Sequence, residues 1–208
     1  MSYIPKDAVT QSFKSNKGVL TPNQIIELDN ENKFTKYGQL ELIETQTISS
    51  AVSSVTFSDM KSDTYDMHFL TTVNYIPSVD NRQLNLRVQV NGSSISSSSY
   101  EYAEQRNTAS TSSETKSTGD TKMIQIFSNG TGTGEAAHGY CYFYGAGDSN
   151  QFTFMTGQYT NINKDTNMNS NFFSGVYRVN DQVSGFELIT SADNMASGTF
   201  SLYGLRFA

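Results

Sequence analysis

Leu84-Asn85-Leu86-Arg87-Val88-Gln89-Val90-Asn91-Gly92 decides the fold class. Leu84, Leu86, Val88 and Val90 alternate with Asn85, Arg87 and Gln89, the two-residue period of a strand with one face in a core. Asn91-Gly92 follows at once, the dipeptide that best tolerates the positive φ angles of a tight hairpin turn. The segment therefore predicts a β-strand and a hairpin, with the four aliphatic residues inward.

The same period recurs on both sides. Upstream, residues 39–48 carry Leu40, Leu42 and Ile48, residues 51–57 place Val55 and Phe57 in phase, and residues 65–73 put Tyr65, Met67, Phe69, Thr71 and Val73 on one face. Downstream, short strands are expected at 95–102, 122–127, 139–146, from Phe152, and at 173–179, 185–190 and 199–207. In the last, Phe200 and Leu202 alternate with Thr199, Ser201 and Tyr203, and Gly204 interrupts where a bulge would fit. Residues 107–121 and 161–171, rich in Ser, Thr, Asn, Glu and Lys, read as exposed loops, and 129–134 as a glycine-rich one. About ten short strands with no long helix predict an all-β chain, an antiparallel β-sandwich of jelly-roll type.

Composition narrows the function. Net charge is −6, which leaves no basic face for nucleic acid. Charged residues make up 16%, below the usual quarter, and neutral polar residues replace them. Thirteen Phe and twelve Tyr, with no Trp, supply an aromatic core. A single cysteine, Cys141, excludes an internal disulfide. No apolar run reaches the length of a membrane span, so no membrane insertion is expected.

Residues 1–37 differ from the rest. Lysines alternate with acidic residues, and Ile4, Val9, Phe13, Val19 and Leu20 lack any sustained period. This predicts an extended N-terminal arm, residues 1–37, ahead of a sandwich at 38–208. The alternative is an ordinary first hairpin. Within the arm, Thr21-Pro22-Asn23-Gln24 can open a helical turn, with Pro at the first helical position. The five apolar residues are the candidate contacts with a partner, because such a segment has too little periodic apolar surface to order alone.

Chemistry is sparse. His68 and His138 are the only histidines; His138 stands near Glu135, too few ligands for a metal site, and His68 is expected at solvent or beside a sheet neighbour. Cys141 and His138 lie three residues apart on a strand, on opposite faces and about 10 Å apart, which does not make a nucleophile–base pair. Asp148, Asp165, Asp181 and Asp193 are scattered over turns. No catalytic residue, metal or cofactor is expected. The row Tyr140, Tyr142, Tyr144 alone has binding character, as a glycan or interface surface. The blander reading, a face buried in the core or against a sister subunit, is the default for alternate residues of a strand.

Four segments carry a resemblance. Ser197-Gly198-Thr199-Phe200-Ser201-Leu202-Tyr203-Gly204-Leu205 looks like the closing strand of a jelly-roll module in structural proteins of tailed bacteriophages. Asp63-Thr64-Tyr65-Asp66-Met67-His68-Phe69, Asp80-Asn81-Arg82-Gln83-Leu84-Asn85-Leu86-Arg87-Val88 and Val183-Ser184-Gly185-Phe186-Glu187-Leu188 resemble earlier strands of that module, in the same order. Glu187 departs from the family, where a basic residue is common.

The resemblance spans roughly residues 40–208. It implies a non-enzymatic virion structural protein, made in the host cytoplasm and released by lysis. It would decorate the capsid, form a head fibre, or serve as a short tail fibre or adaptor. The implied partners are capsid, portal or tail proteins and sister copies, as a homotrimer. A receptor- or glycan-binding module at a fibre tip, contacting a host surface glycan, is the alternative.

Overall fold

The computed structural model describes residues 21–30 and 40–205. Ile4, Val9, Phe13, Val19 and Leu20, the junction at residues 37 and 38, and Phe207 lie outside the described residues. The chain divides into two units, residues 1–37 and 38–208. In the first, helix α1 (Pro22–Asn30) starts where its sequence says it should. The Gln24 N–H donates to Thr21 Oγ1 (3.3 Å) and the Thr21 N–H donates to Gln24 Oε1 (2.9 Å), a reciprocal capping box with Pro22 at the first helical position.

The second unit is an antiparallel β-sandwich. Its strands are β1 (Glu41–Ile48), β2 (Ser54–Phe57), β3 (Met67–Pro77), β4 (Arg82–Val90), β5 (Ser93–Ser94), β6 (Tyr100–Thr108), β7 (Ser112–Asp120), β8 (Met123–Asn129), β9 (Ala137–Tyr144), β10 (Thr153–Ile162), β11 (Met168–Tyr177), β12 (Gly185–Thr190) and β13 (Met195–Leu205). An eight-stranded sheet runs β1-β13-β3-β9-β10-β11-β6-β7. A five-stranded sheet runs β2-β12-β4-β5, with β8 also paired to β4.

The inward face of β4 behaves as its alternation requires. Leu84, Leu86 and Val88 are fully buried on one face, and Val90 is partly buried at the strand end. Asn91 and Gly92 both have positive φ (51° and 75°), as a two-residue turn between Val90 and its partner Ser93 demands. The core joins the two sheets through aromatic stacking. Phe186 of β12 lies 4.8 Å from Phe57 and 5.0 Å from Phe143 of the other sheet, ring centre to ring centre. Each buried aliphatic or aromatic side chain here contributes on the order of 1.5–3 kcal/mol. Tyr100 ties the sheets by hydrogen bonds as well. Its O–H donates to Ile95 O and its oxygen accepts the Val88 N–H, both at 2.9 Å.

Several expectations need correction. Residues 112–120 form strand β7, not a loop, pairing along β6 as the sheet edge. Its Ser and Thr residues have no apolar period because an edge strand with two wet faces needs none, and its charges discourage edge pairing. The expected loop 161–171 shrinks to residues 163–167, since β10 reaches Ile162 and β11 starts at Met168. Asn161, Asn169 and Asn171 are buried. The amides of Asn161 and Asn169 donate to the Ser128 carbonyl, so this end of the interior is polar.

In β3 the faces are reversed. His68, Leu70 and Thr72 point inward, while Met67, Phe69, Thr71 and Val73 line the outer face. Leu40 and Leu42 are exposed, and the β1 residues packed on the core are Ile43 and Ile48, because β1 slips register between Leu42 and Glu44. Asn85 and Gln89 of β4, expected at solvent, are buried as well.

Gly204 marks no bulge. The inward alternation of β13 continues through it, in register with His68 and Glu41. A Cβ there would lie 2.2 Å from the Tyr65 ring, so glycine is required because Tyr65 lies flat on the strand. The Tyr65 O–H then donates to Glu41 Oε2 at 2.8 Å. The four segments that carry the phage resemblance thus assemble in pairs, β13 beside β3 in one sheet and β12 beside β4 in the other.

Candidate functional site

The outer face of the eight-stranded sheet carries the site. Alternation along β9 sends Cys141 and Phe143 into the core and Tyr140, Tyr142 and Tyr144 outward. Register settles which side wins. Cys141 lies opposite Leu70 on one side and Gly157 on the other, both inward positions. The tyrosine row is therefore not a buried face. Tyr140 is 37% exposed and Tyr144 39%, with Tyr142 half-buried between them.

Strand pairing extends the row into a strip. Phe69 of β3 lies opposite Tyr142, and Tyr203 of β13 lies opposite Phe69. Ring centres of Phe69 stand 4.6 Å from Tyr142, 5.8 Å from Tyr140 and 6.2 Å from Tyr203, and Tyr142 stands 5.6 Å from Tyr140 and 6.3 Å from Tyr144. These separations fall in the range of favourable ring pairs. On the other side, Phe154 of β10 is opposite Tyr144, and Phe172 of β11 is opposite Gln158, itself opposite Tyr140. Phe154 and Phe172 are 50% and 45% exposed.

The tyrosine row is legible in the sequence, whereas Phe154, Phe172 and Tyr203 carry no local signal of a shared surface. Phe69 shows in the sequence only as part of an alternating face with the character of core. The others become neighbours only through strand pairing between distant segments.

Between the tyrosine row and the β6–β7 hairpin the sheet surface holds a depression of about 690 Å³. Its lining includes Tyr140, Tyr142, Phe172, Gln158, Gln105 and Thr156. A second depression of about 650 Å³, lined in part by Phe154 and Val176, shares Ala103, Lys116 and Ser174 with the first, so the two form one groove. Thr156 Oγ1 donates to the Phe173 carbonyl and pairs with Ser174 Oγ (3.3 Å). The floor is thus aromatic rings interleaved with amides and hydroxyls, and the charged residues Glu114 and Lys116 stand on the edge strand β7.

The histidines, the cysteine and the four aspartates are placed elsewhere and apart. His68 is buried, contrary to expectation. Its Nε2–H donates to the Met60 carbonyl at 2.7 Å, and burial pushes its pKa down to about 4, which keeps it neutral. Cys141 is fully buried and burial raises its thiol, which makes it an inert core residue. His138 is exposed and accepts the Asn74 N–H at 3.4 Å. Glu135 accepts the Gly132 N–H at 2.6 Å and so closes its own glycine-rich loop.

The four aspartates stay separate. Asp148 caps its turn through Asn150, Asp165 pairs with Lys164, Asp181 accepts from the Tyr177 hydroxyl and Asp193 pairs with Arg82. Glu104 faces inward beneath the groove, and burial holds its carboxyl up at about 7. Among the described residues no three His, Cys, Asp or Glu side chains group as metal ligands, and no helix is long and apolar enough to cross a membrane. Comparison with protein-family models, curated proteins and solved structures yields no match.

Proposed function

We propose that this chain is a non-enzymatic structural protein of a bacteriophage particle, a surface-displayed sandwich of jelly-roll type whose outer aromatic strip makes the working contacts. The observation that carries the contact role is the strip itself: rings of five adjacent strands, β13, β3, β9, β10 and β11, left uncovered on a sheet whose other face is a filled core. Uncovered aromatic surface of this extent marks interaction sites.

The phage setting rests on the four resembling segments, supported by their assembly into adjacent strand pairs and by the ring of Tyr65 seated on Gly204. Support for the jelly roll comes from the strand order. β1-β13-β3-β9 lies in one sheet against β2-β12-β4-β8 in the other, and the chain switches sheets at each step from β1 to β4 and again from β12 to β13. In this reading residues 1–37 dock the sandwich on capsid, portal or tail proteins, with Ile4, Val9, Phe13, Val19 and Leu20 as contacts, and the assembly is a homotrimer in the virion.

A version beginning at Gly38, compared with the full-length chain during infection, tests this. The expected result is a similar melt and loss of co-sedimentation with particles. Full-length protein that never co-sediments with particles refutes the phage reading, and a truncated protein that still does refutes the docking role. A receptor- or glycan-binding module at a fibre tip is the second reading, and the exposed position of Tyr140 and Tyr144 favours it.

A further inference from the structure

We infer that the groove between the Tyr140–Tyr142–Tyr144 row and the β6–β7 hairpin is an oligosaccharide site for neutral hexose units. The inference deepens the reading of the strip as a contact surface and rests on it. Three features point to a sugar. Tyr140, Gln158, Phe172 and Gln105 stand side by side on β9, β10, β11 and β6. Tyr140 and Phe172 are thus two strand spacings apart, about 10 Å, the length of two linked pyranose units.

A pyranose presents an apolar C–H face and a rim of hydroxyls. The two rings offer stacking faces, and the amides of Gln158 and Gln105 beside them offer both donors and acceptors to the rim. The charged residues along the groove are Glu114 and Lys116 at the rim, opposite in sign, and the inward-facing Glu104 beneath it; no cation stands on the floor, so a neutral ligand matches the groove better than an anionic one.

Shape and chemistry single out a small ligand over a second copy of the chain as the occupant. Tyr140, Tyr144, Phe154 and Phe172 are 37–50% exposed. Tyr140, Tyr144 and Phe172 border a depression of about 690 Å³, a volume typical of small-molecule sites. A concave strip with interleaved amides suits an extended small ligand. The adjoining depression, floored by Phe154 and Val176, gives room for further units.

The test uses the full-length protein and nuclear magnetic resonance titration with tetrasaccharides of glucose, mannose, galactose and N-acetylglucosamine, and with an alginate tetramer as the anionic probe. At least one neutral tetrasaccharide is expected to bind, shifting resonances of Gln105, Gln158 and Phe172. Tyr140→Ala and Phe172→Ala are each expected to weaken it about tenfold or more. Gln158→Ala, which removes no ring, weakens it several-fold and guards against misfolding of the aromatic variants.

Failure of all four neutral probes, preference for alginate, or shifts confined to another face overturns the inference. So does self-association of the free protein that Tyr140→Ala abolishes, which identifies a second copy as the occupant. Loss of sugar binding with particle co-sedimentation intact removes only this inference. Sugar binding without co-sedimentation removes the phage setting instead.

Discussion

Gly204→Ala is the sharpest test of how the β1-β13-β3 edge of the eight-stranded sheet is locked. The new Cβ would stand 2.2, 2.3 and 2.5 Å from three carbons of the Tyr65 ring. Carbon atoms settle about 3.5–4 Å apart, so the ring must retreat by more than 1 Å. Overpacking of this kind costs about 1–3 kcal/mol. The retreat also strains the 2.8 Å bond from Tyr65 to Glu41, worth about 1 kcal/mol. The expected loss is about 3 kcal/mol, a fall in melting temperature of roughly 6–12 °C for a domain of this size.

Thermal denaturation followed by circular dichroism measures it. The control is Tyr65→Ala/Gly204→Ala, in which the collision is gone. The pair should be more stable than the sum of the single losses predicts, by about 1–3 kcal/mol. A Gly204→Ala protein that melts like the parent, or a double variant whose losses simply add, would refute the packing argument.

Further outcomes follow from the buried groups. Glu104 is held near 7, above its ordinary 4.5, so the folded chain keeps a proton that the unfolded chain releases. Its contribution is therefore complete below about pH 4.5 and is lost as pH rises through 7, about 3 kcal/mol in all. Glu104→Gln should remove that loss, gaining stability over the parent between pH 5 and 8 in urea titrations; an unchanged pH dependence would contradict this. His68 runs the other way. Its pKa is depressed to about 4, so its contribution is complete above pH 6.5 and is lost as pH falls toward 4, and its ring resonances should not titrate between pH 7 and 5. Leu86→Ala, at a fully buried position, should cost about 2–5 kcal/mol, and a loss below 1 kcal/mol would mean the β4 face is not core.

The legible parts of this chain are those where a single physical signal acts alone. Leu84 to Gly92 carries a clean period and a turn dipeptide; the turn and the inward row Leu84, Leu86 and Val88 appear as read, while Asn85 and Gln89 on the other face are buried too. Thr21 and Gln24 announce a helix start through hydrogen bonds local in sequence. The misreadings share a cause. A strand from the middle of the eight-stranded sheet has apolar residues on both faces, so Met67, Phe69 and Val73 resembled core while Leu70 between them was the core. β7 has no apolar period, and its existence depends on the ladder that β6 offers. For the candidate site, the row of three tyrosines was visible, but its side of the sheet was set by what Cys141 faces. Its companions Phe69, Phe154, Phe172 and Tyr203 come from segments up to 134 residues apart, the distance from Phe69 to Tyr203 in the chain, and no local pattern links them.

The most direct measurement is an electron cryomicroscopy reconstruction of particles purified from a lysate in which the full-length chain is expressed. The account predicts sandwich density on the particle surface, anchored through the segment before Gly38, with the Tyr140–Tyr142–Tyr144 face turned away from the shell and open. Particles that lack the protein, or density in which that face is sealed against the shell, would contradict it.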